Sequence, residues 1–396
     1  MTSNTFCILP WIHFYANPDG NVLPCCIGNH RKPLGNVQKE SILNVWNSEK
    51  YRTMRLNMLS GKRCDECQSC YHAEDSGVNS FRQSVNRDYA EYIPLVNKTN
   101  VDGSLDEMDL KYLDIRWSNI CNFKCRSCSS TYSSSWATED NKNGNKKPVY
   151  IFAGGDNNDK LYEELKPHIT GVKEIYFAGG EPLLMDKHYD MLEYLIETNN
   201  TDIKIRYNTN LSSLHFKNKS VLEMWKKFSN VHLNVSLDSW SDRAEYIREG
   251  TDWKKIEENI LTVKSECPHI YFGIASVVSI FNVLTLPEFI DYLFQNKLVD
   301  SKTTASFYSL INPDFYSFSI FDDKTRMLAI EKLSDRQYNG HIKSQIENVI
   351  RHLKSSVVNV DLQKQFKHHT DYYDSIRNRK FVETFPELSG FYENIF

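Results

Sequence analysis

The sequence predicts an α/β fold with a separate N-terminal segment, and two patterns support this class. From residue 111 onward, short stretches of alternating apolar and polar residues recur between longer stretches with helical periodicity. Such alternation is typical of βα units built around a parallel sheet. Six of the ten cysteines lie before residue 71, which predicts a small metal-binding segment in front of the βα units.

The composition is that of an ordinary globular protein. The chain has 396 residues, 40% hydrophobic and 25% charged, so it can bury the cores of one large and one smaller domain. The formal net charge of −4 argues against a dedicated nucleic-acid binder, which normally carries a basic excess. No apolar run approaches the roughly 20 residues of a membrane span, and the N-terminus lacks the features of a signal peptide. We therefore expect a cytoplasmic protein, in which clustered cysteines indicate metal binding rather than disulfides.

Six strands, with helices between them, are predicted from the periodicity. The strands are expected at 111–118, 174–179, 203–209, 232–238, 270–279 and 303–310. Amphipathic helices are expected at 159–166, 221–228, 253–266 and 286–295. The segment 133–160 is poor in apolar residues and is expected to be a surface loop before its helix. In the third and fourth strands apolar residues alternate with polar ones, so each strand is expected to have one polar face that suits a ligand site.

Three cysteines follow the first of these strands: Cys121, Cys125 and Cys128. Thiolates are the usual protein ligands of iron–sulfur clusters, and a cluster of four irons takes one protein ligand for each iron. Three cysteines therefore leave one iron open to an exogenous ligand, as in catalytic metal sites. A zinc site is the alternative, but structural zinc usually takes paired C-x2-C units or histidines, and none lies close after Cys128.

A second motif follows the second predicted strand and consists of Gly179, Gly180, Glu181 and Pro182. Two glycines let a backbone approach a ligand closely, and a glutamate can accept a hydrogen bond from an ammonium group. Catalytic groups gather at the C-terminal ends of the strands in βα barrels. The motif and the cysteine triplet are therefore expected at the same end of the strands.

The C-x3-C-x2-C spacing, the Gly-Gly-Glu-Pro motif and the six βα units together resemble the radical S-adenosylmethionine (SAM) enzymes. The resemblance implies a partial (β/α)6 TIM-like barrel. It implies a [4Fe-4S] cluster held by Cys121, Cys125 and Cys128, with SAM chelated at the open iron. It also implies that the Gly-Gly-Glu-Pro motif binds the SAM amino group.

The resemblance implies further residues of the SAM site. The segments 235–238 and 248–250 are similar to the Ser-x-Asp and Arg-Gly elements of these enzymes. The residues expected to bind SAM outside the glycine motif are Asn208, Asn210, Ser236, Asp238 and Arg248. Asn210 and Ser236 are expected near the ribose, and Arg248 at the carboxylate, which a guanidinium fork fits well; a surface helix charge is the alternative for Arg248. Ser127 is a departure, because many relatives have an aromatic residue there that helps hold the adenine.

The N-terminal segment resembles the twitch or SPASM auxiliary-cluster module of radical SAM enzymes, although in most relatives the module follows the barrel. The two share a cysteine pair flanking a tight turn, a Gly-Asn pair, a tryptophan-containing helix and a C-x2-C pair. The resemblance implies one auxiliary [4Fe-4S] cluster, with the expected ligands Cys7, Cys25, Cys67 and Cys70. Cys64 is the rival ligand, because the C-x2-C-x2-C run leaves the register open. Cys26 is expected to be a spare thiol, because adjacent residues on an extended chain point to opposite sides. A zinc ribbon is the alternative for the whole segment.

Four parts of the chain are expected from these features. They are an auxiliary cluster domain at 1–75, a connector at 76–110, the radical SAM barrel at 111–311 and a helical, aromatic-rich extension at 312–396. The aromatic residues of the extension are expected to bury core surface. A surface for substrate or partner is the alternative.

The predicted function is that of a radical SAM enzyme. By the resemblance, it reductively cleaves SAM to a 5′-deoxyadenosyl radical, which takes a hydrogen atom from a substrate. The expected substrate is a peptide or protein, as in maturases, and the expected electron donor is a flavodoxin- or ferredoxin-like protein. The alternatives are dehydrogenation of a small alcohol or sugar, and a non-catalytic metal-binding scaffold. Neither a membrane nor a nucleic-acid partner is expected.

Overall fold

All six predicted strands are present in the computed structural model, which describes residues 3–144, 156–300, 303–338 and 340–395. The strands are β1 (His13–Ala16), β2 (Asn21–Leu23), β3 (Gly35–Asn36), β4 (Tyr112–Ile115), β5 (Lys124–Cys125), β6 (Glu174–Phe177), β7 (Lys204–Thr209), β8 (His215–Phe216), β9 (Lys219–Ser220), β10 (Val231–Ser236), β11 (Arg248–Glu249), β12 (Tyr271–Val278) and β13 (Thr304–Ser309). The predicted strands correspond to β4, β6, β7, β10, β12 and β13, with ends that differ by a few residues. The tight turn predicted near the N-terminus joins β1 to β2, which pair antiparallel.

Helices separate these strands, as expected for a βα repeat. They are α1 (Leu9–Ile12), α2 (Ile42–Trp46), α3 (Glu49–Leu59), α4 (Gln68–Asp75), α5 (Phe81–Asp88), α6 (Ser134–Lys142), α7 (Asp156–Ile169), α8 (Asp186–Glu197), α9 (Val221–Trp225), α10 (Ser241–Ile247), α11 (Trp253–Glu266), α12 (Leu286–Gln295), α13 (Asp323–Ser334), α14 (Gly340–Ser355), α15 (Val360–Arg377), α16 (Phe381–Thr384) and α17 (Ser389–Glu393). The four predicted helices are confirmed as α7, α9, α11 and α12. The prediction of a mixed α/β fold with a mainly parallel sheet is therefore confirmed.

The expectation of a surface loop at 133–160 is wrong for its first part, which forms α6. The Ser133 side chain caps this helix by accepting a hydrogen bond from the N–H of Trp136, and Trp136 and Ala137 are buried. A single large apolar residue is too weak a periodic signal to predict a helix. Residues 145–155 of the same segment lie outside the described part of the chain.

The chain divides into two units, and the first contains the cysteine-rich segment together with the early βα units. It comprises Met1–Cys121, Ser130–Tyr207 and Glu223–Val231. Its sheet has the order β7-β6-β4-β1-β2-β3. The neighbours from β7 to β1 pair parallel, whereas β1, β2 and β3 pair antiparallel. The N-terminal segment thus continues the sheet of the βα units through β1.

The register of the first unit separates an apolar row from a polar one. The apolar row runs through register partners that are almost fully buried, Phe14, Leu113, Ile175 and Ile205. The adjacent row has side chains on the opposite face because successive residues of a strand alternate, and it contains His13, Tyr112, Glu174 and Lys204. The predicted alternation in β7 and β10 is confirmed, since buried and half-buried residues alternate along both strands.

The second unit contains the later strands and the C-terminal extension. It comprises Asn122–Ser129, Asn208–Leu222 and His232–Phe396, and its strands β10, β12 and β13 pair parallel in that order. The aromatic residues of the extension bury core surface as predicted: Phe366 lies 6.2 Å from Phe281 and 5.4 Å from Phe381, between ring centroids. Within the described ranges, none of the helices has the length and apolar character needed to cross a membrane.

Candidate functional site

Cys121 is the first residue of the cysteine loop, residues 121–128, which follows β4. The start of α6 holds its backbone. The Ser135 hydroxyl donates a hydrogen bond to the Cys121 carbonyl oxygen at 2.7 Å, and the Cys121 N–H donates to the Ser134 hydroxyl at 3.3 Å. Cys121 is half-buried. The helix that sequence reasoning missed therefore fixes the backbone of the first cysteine of the triplet.

Cys125 and Cys128 lie in the second unit, where a short antiparallel pairing orders the loop. Cys125 of β5 is the register partner of Arg248 in β11. The next residue, Arg126, donates its N–H to the carbonyl oxygen of Ile247 at 2.8 Å, and the N–H of Cys128 donates to the carbonyl oxygen of Cys125 at 2.9 Å. Both cysteines are half-buried. The loop is therefore held by backbone hydrogen bonds around its second and third cysteines.

The Arg248 guanidinium contacts both the Cys125 thiol and the carboxylate of Asp238. Its Nη1 donates to Cys125 Sγ at 3.8 Å, while Nε and Nη2 lie 2.8 and 3.0 Å from the two Asp238 oxygens. Burial raises the pKa of the Cys125 thiol, and the Arg248 charge lowers that pKa. The guanidinium that was expected at the SAM carboxylate thus pairs with Asp238, and its Nη1 can stabilise negative charge on the Cys125 sulfur.

Two glycines allow close backbone approach around the loop. In the first unit, a Cβ on Gly180 would lie 2.2 Å from the carbonyl oxygen of Ile120, to which the N–H of Glu181 donates at 2.7 Å. In the second unit, Gly250 has φ +104°, and a Cβ there would lie 2.7 Å from the carbonyl oxygen of Asn122. Larger residues would force the backbone apart at both points.

The Gly-Gly-Glu-Pro motif forms a turn that is ordered by its own hydrogen bonds. Gly179 has φ +122°, a conformation that favours glycine. The buried carboxylate of Glu181 accepts a hydrogen bond from the N–H of Leu183 at 3.0 Å. Pro182 opens the following 3-10 turn, Pro182–Leu184. The acid expected to meet an ammonium group therefore also stabilises its own turn.

The remaining residues expected at SAM lie at strand ends of the second unit. Asn210 donates its side-chain N–H to Asn122 Oδ1 at 3.0 Å, which joins it to the cysteine loop. Asp238 is buried, accepts the N–H of Val277 at 2.8 Å and reaches the loop through Arg248. Asn208 and Ser236 stand on the half-buried faces of β7 and β10.

Four cysteines of the N-terminal segment line one cavity, and they are the set expected to hold the auxiliary cluster: Cys7, Cys25, Cys67 and Cys70. The rival ligand, Cys64, lies outside the cavity lining. It is buried, and its thiol donates to the carbonyl oxygen of Met54 at 3.8 Å. A set of four thiols supplies one ligand for each iron of a [4Fe-4S] cluster, so the donor set fits that group.

The surroundings of this cavity also fit an anionic cluster. Burial raises the pKa of the Cys7 thiol to about 12, while the N–H of Leu9 and the charge of Arg82 lower it. The backbone N–H of Arg82 also hydrogen-bonds Cys70. The Arg82 guanidinium pairs with Glu74 at 2.5 Å. A buried thiolate is costly unless a metal compensates its charge.

Cys26 lies outside this cavity lining, next to a group of ion pairs that sequence reasoning did not anticipate. Burial and the charge of Asp114 raise the pKa of the Cys26 thiol to about 11, against the lowering effect of Arg116. Asp114 is fully buried and pairs with Arg116 at 2.7 Å. Arg206 pairs with Glu174 at 2.9 Å. Alternation along β4, β6 and β7 could have grouped these residues on one face, but it could not have placed Cys26 beside them.

A buried ion pair between the cysteine loop and the C-terminal extension was also missed. Arg126, between Cys125 and Cys128, pairs with Asp374 of α15 at 2.5 Å. The two residues are separated by 248 positions in the chain, so no local pattern links them.

Among the residues that the structure describes, no three His, Cys, Asp or Glu side chains form a group that could hold a metal ion.

Two family models match the chain. The model for the SPASM iron–sulfur cluster-binding domain matches residues 7–71, and the model for the radical SAM superfamily matches residues 115–291. The match regions contain the four cavity cysteines and the cysteine triplet, respectively.

Curated relatives match only part of the chain. GTP 3′,8-cyclase of Clostridium botulinum (strain Hall) is 29% identical over 157 residues, which cover 38% of this chain and 42% of the relative. GTP 3′,8-cyclase of a second strain, Okra, matches to the same extent. The chain therefore spans less than half the length of these relatives. A solved structure of anSMEcpe with bound AdoMet and Cp18Cys peptide is 18% identical, with a TM-score of 0.39, and the match covers 57% of this chain and 58% of that one.

The fold and the two groups of cysteines define an iron–sulfur protein of the α/β class. With the two family matches, the chain is a radical SAM superfamily protein that carries an N-terminal SPASM-like auxiliary domain. This membership implies a [4Fe-4S] cluster with SAM and an auxiliary iron–sulfur cluster. The predictions of family, fold class and cofactors are thus confirmed.

Proposed function

We propose that the protein is an enzyme that binds SAM at a [4Fe-4S] cluster held by Cys121, Cys125 and Cys128 and takes a hydrogen atom from a substrate. The observation that carries the proposal is the cysteine loop itself. It presents three half-buried thiols within eight residues, one of them in contact with the Arg248 guanidinium. When bound, the cluster supplies an electron that cleaves SAM to methionine and a 5′-deoxyadenosyl radical.

In this proposal the chain's own residues bind and orient SAM. The Gly-Gly-Glu-Pro turn receives the amino group through its backbone. Its glycines let the turn pack against the segment that leads to Cys121, since a Cβ on Gly180 would lie 2.2 Å from the carbonyl oxygen of Ile120. Asn210 and Ser236 lie near the ribose, Asn208 is a further SAM-binding residue, and Arg248 pairs with the SAM carboxylate. Arg248 and Asp238 act as a pair that holds Cys125 and balances the charge of the loop.

We assign the auxiliary cluster to Cys7, Cys25, Cys67 and Cys70. The support is that these four thiols line one cavity and that Cys64 does not. A cluster with a thiolate on every iron has no open position for a ligand. Its role in this proposal is to accept an electron from the substrate or to order the N-terminal segment.

We propose a peptide or protein as the substrate. The support is that the cysteine-rich segment continues the sheet next to β4, the strand that precedes the cysteine loop. A long substrate can therefore contact both parts of the first unit. We propose a flavodoxin- or ferredoxin-like protein as the electron donor, which dithionite can replace in vitro.

A small sugar-containing substrate is the second candidate. It is favoured by the half-buried Lys204 and Arg206 on the polar face of β7. Both pair with the one carboxylate of Glu174, at 3.0 and 2.9 Å, so one positive charge of this group is left over for an anionic substrate. The name of one curated relative, GTP 3′,8-cyclase, states a nucleotide substrate. Incubation of unlabelled SAM with a deuterated peptide or a deuterated sugar would separate the candidates, because the hydrogen atom taken from the true substrate is recovered as deuterium in 5′-deoxyadenosine.

The test of the main proposal is SAM cleavage by the anaerobically reconstituted, dithionite-reduced protein. We expect methionine and 5′-deoxyadenosine as products and about eight irons per chain, the content of two four-iron clusters. The variant with Cys121, Cys125 and Cys128 all replaced by alanine should retain about four irons and lose the products. A fully loaded wild-type protein that yields neither product would refute the proposal, and zinc in place of iron would favour a non-catalytic scaffold.

A further inference from the structure

Arg126 carries a buried positive charge. This residue stands between the second and third cysteines of the triplet and is only 2% exposed. A buried guanidinium is costly unless it is paired and hydrogen-bonded. Its partner is the carboxylate of Asp374, with Nη2 and Oδ1 2.5 Å apart, and its Cζ lies 4.2 Å from the ring centroid of Tyr246.

The Asp374 carboxylate joins three segments of the second unit. Oδ1 accepts hydrogen bonds from Arg126 and from the Tyr246 hydroxyl, the latter at 2.6 Å, and Oδ2 accepts the backbone N–H of Phe381 at 2.6 Å. Tyr246 belongs to α10, which leads into β11, the partner strand of the cysteine loop. One carboxylate of α15 therefore holds the loop both directly and through the helix that precedes its partner strand.

The extension is also held by aromatic packing. The aromatic side chain of Phe366, on the same helix as Asp374, contacts Phe281, Phe381 and other buried rings. A buried ion pair seldom adds stability over an apolar pair of similar size, whereas losing one partner leaves an uncompensated charge. Arg126 and Asp374 are therefore poorly explained as a stabilising device for α15, and their position points to the loop.

We propose that Asp374 is a positioning residue for the SAM-binding cluster. Through Arg126, it fixes the spacing and orientation of Cys125 and Cys128, so that the C-terminal extension becomes part of the catalytic apparatus. This inference rests on the proposed function, because it assumes that the cysteine triplet holds the cluster to which SAM binds.

The experiment compares Asp374→Asn with a matched control, Glu387→Gln. Glu387 also joins the extension to α10, by a two-point ion pair with Arg243 at 2.5 and 2.9 Å, but it does not touch the cysteine loop. The readouts are the iron content, the rate of iron release to a chelator, and the change that SAM causes in the electron paramagnetic resonance spectrum of the reduced protein. A loss of at least about tenfold in iron retention at one cluster is expected for Asp374→Asn, together with loss of the SAM-induced spectral change. The control should behave like the wild type.

A double variant separates positioning from stability. Replacing both charges, as Arg126→Met with Asp374→Leu, removes the uncompensated charge and should restore the unfolding midpoint toward that of the wild type. Under the proposal it does not restore the SAM-induced spectral change. If Asp374→Asn fails to fold, the double variant alone decides between the two roles.

Several results would overturn the proposal. These are wild-type iron retention and a wild-type response to SAM in Asp374→Asn, an equal loss in Glu387→Gln, or a normal SAM response in the double variant. Absence of any SAM response in the iron-loaded wild type would instead refute the proposed function. Iron retention in Asp374→Asn would then still test whether Asp374 holds the loop.

Discussion

At the scale of single residues, Cys64 and Cys67 show how two nearby thiols can differ in surroundings. Cys67 lines the cavity with Cys7, Cys25 and Cys70, whereas the Cys64 thiol donates to the Met54 carbonyl oxygen. We predict that Cys67→Ala removes about four irons per chain, the content of one cluster, and that Cys64→Ala removes none. Iron and sulfide analysis of anaerobically purified protein measures both.

The matched control for this pair is Cys26→Ala, since Cys26 is another thiol of the same segment but lies outside the cavity lining. It should retain full iron content. Iron loss in Cys64→Ala with full retention in Cys67→Ala would reverse the assignment of ligands.

Arg248 is the second residue with a measurable role. Its contact with Cys125 places a positive charge and an N–H donor against the sulfur that we assign to the cluster, and both favour the more negative, reduced state of the cluster. We predict that Arg248→Gln lowers the midpoint potential of the SAM-free cluster by about 60 mV, a tenfold change for a one-electron couple. A spectroscopic redox titration measures the shift.

Arg243→Gln is the control for the charge at Arg248. Arg243 lies on α10, five residues before Arg248, and it pairs with Glu387 rather than with a cysteine. Its potential should match the wild type. An unchanged or higher potential in Arg248→Gln would show that the guanidinium does not stabilise the reduced cluster.

At the scale of elements, the Gly-Gly-Glu-Pro turn depends on the absence of a side chain at Gly180. A Cβ there would lie 2.2 Å from the carbonyl oxygen of Ile120, which is backbone and cannot rotate away. We predict that Gly180→Ala lowers the free energy of unfolding by about 2–3 kcal/mol and weakens SAM binding, because the turn must move. Denaturant unfolding and equilibrium dialysis with labelled SAM measure the two effects.

Gly390→Ala is the comparison for the turn. A Cβ on Gly390, within α17, meets no atom within 4 Å, so alanine should be neutral or slightly stabilising. If Gly180→Ala also proved neutral in both assays, close packing of this turn against the loop after β4 would not be required for SAM binding.

The elements differ in how far they could be predicted. Strands β7 and β10 could be predicted because each has one apolar face, so that apolar and polar residues alternate in the sequence. Helix α6 was not, because Trp136 is its main buried apolar residue and its cap, Ser133, is also a common loop residue. The pairing of β1 with β4 was not predicted either, since strands separated by a long stretch of chain leave no local signal of their register.

At the candidate site, spacing within one segment singled out the cysteine triplet and the glycine motif, because these residues belong to short motifs. The four cavity cysteines were expected only through the resemblance to the SPASM module, since spacing alone left Cys64 as a rival ligand. Spacing could not reveal the pairing of Arg126 with Asp374, since the charge that each residue needs comes from a distant element. It also could not show that Arg248 meets Asp238, because that contact depends on how β10 and β11 are placed.

At the scale of the whole molecule, the cysteine-rich segment and the βα units are parts of one sheet in the first unit, although the family models match them separately. β1 lies between the antiparallel hairpin strand β2 and the parallel strand β4. Unfolding of the N-terminal segment would therefore expose the edge of β4, the strand that precedes the cysteine loop. The stability of the auxiliary module and that of the SAM site are expected to be coupled for this reason.

Two buried histidines of this first unit make its stability depend on pH. Burial lowers the pKa of both His13 and His188 to about 3, whereas an unfolded chain has a histidine pKa near 6.5. The folded state keeps both rings neutral, so their contribution is fully present above about pH 6.5 and is lost as the pH falls toward 3. As the pH falls between these values, each histidine should lower the free energy of unfolding by about 1.4 kcal/mol per pH unit.

We predict that His188→Gln lowers the number of protons taken up on unfolding by about one between pH 6.5 and pH 5, because the variant has no ring at this position to be protonated when the chain unfolds. Anaerobic denaturant unfolding at several pH values measures the slope. His215→Gln, at an exposed position, is the matched control for the exchange of a histidine for a glutamine. An equal slope in His188→Gln and the wild type would mean that His188 takes up its proton in the folded protein, and that burial does not hold the ring neutral.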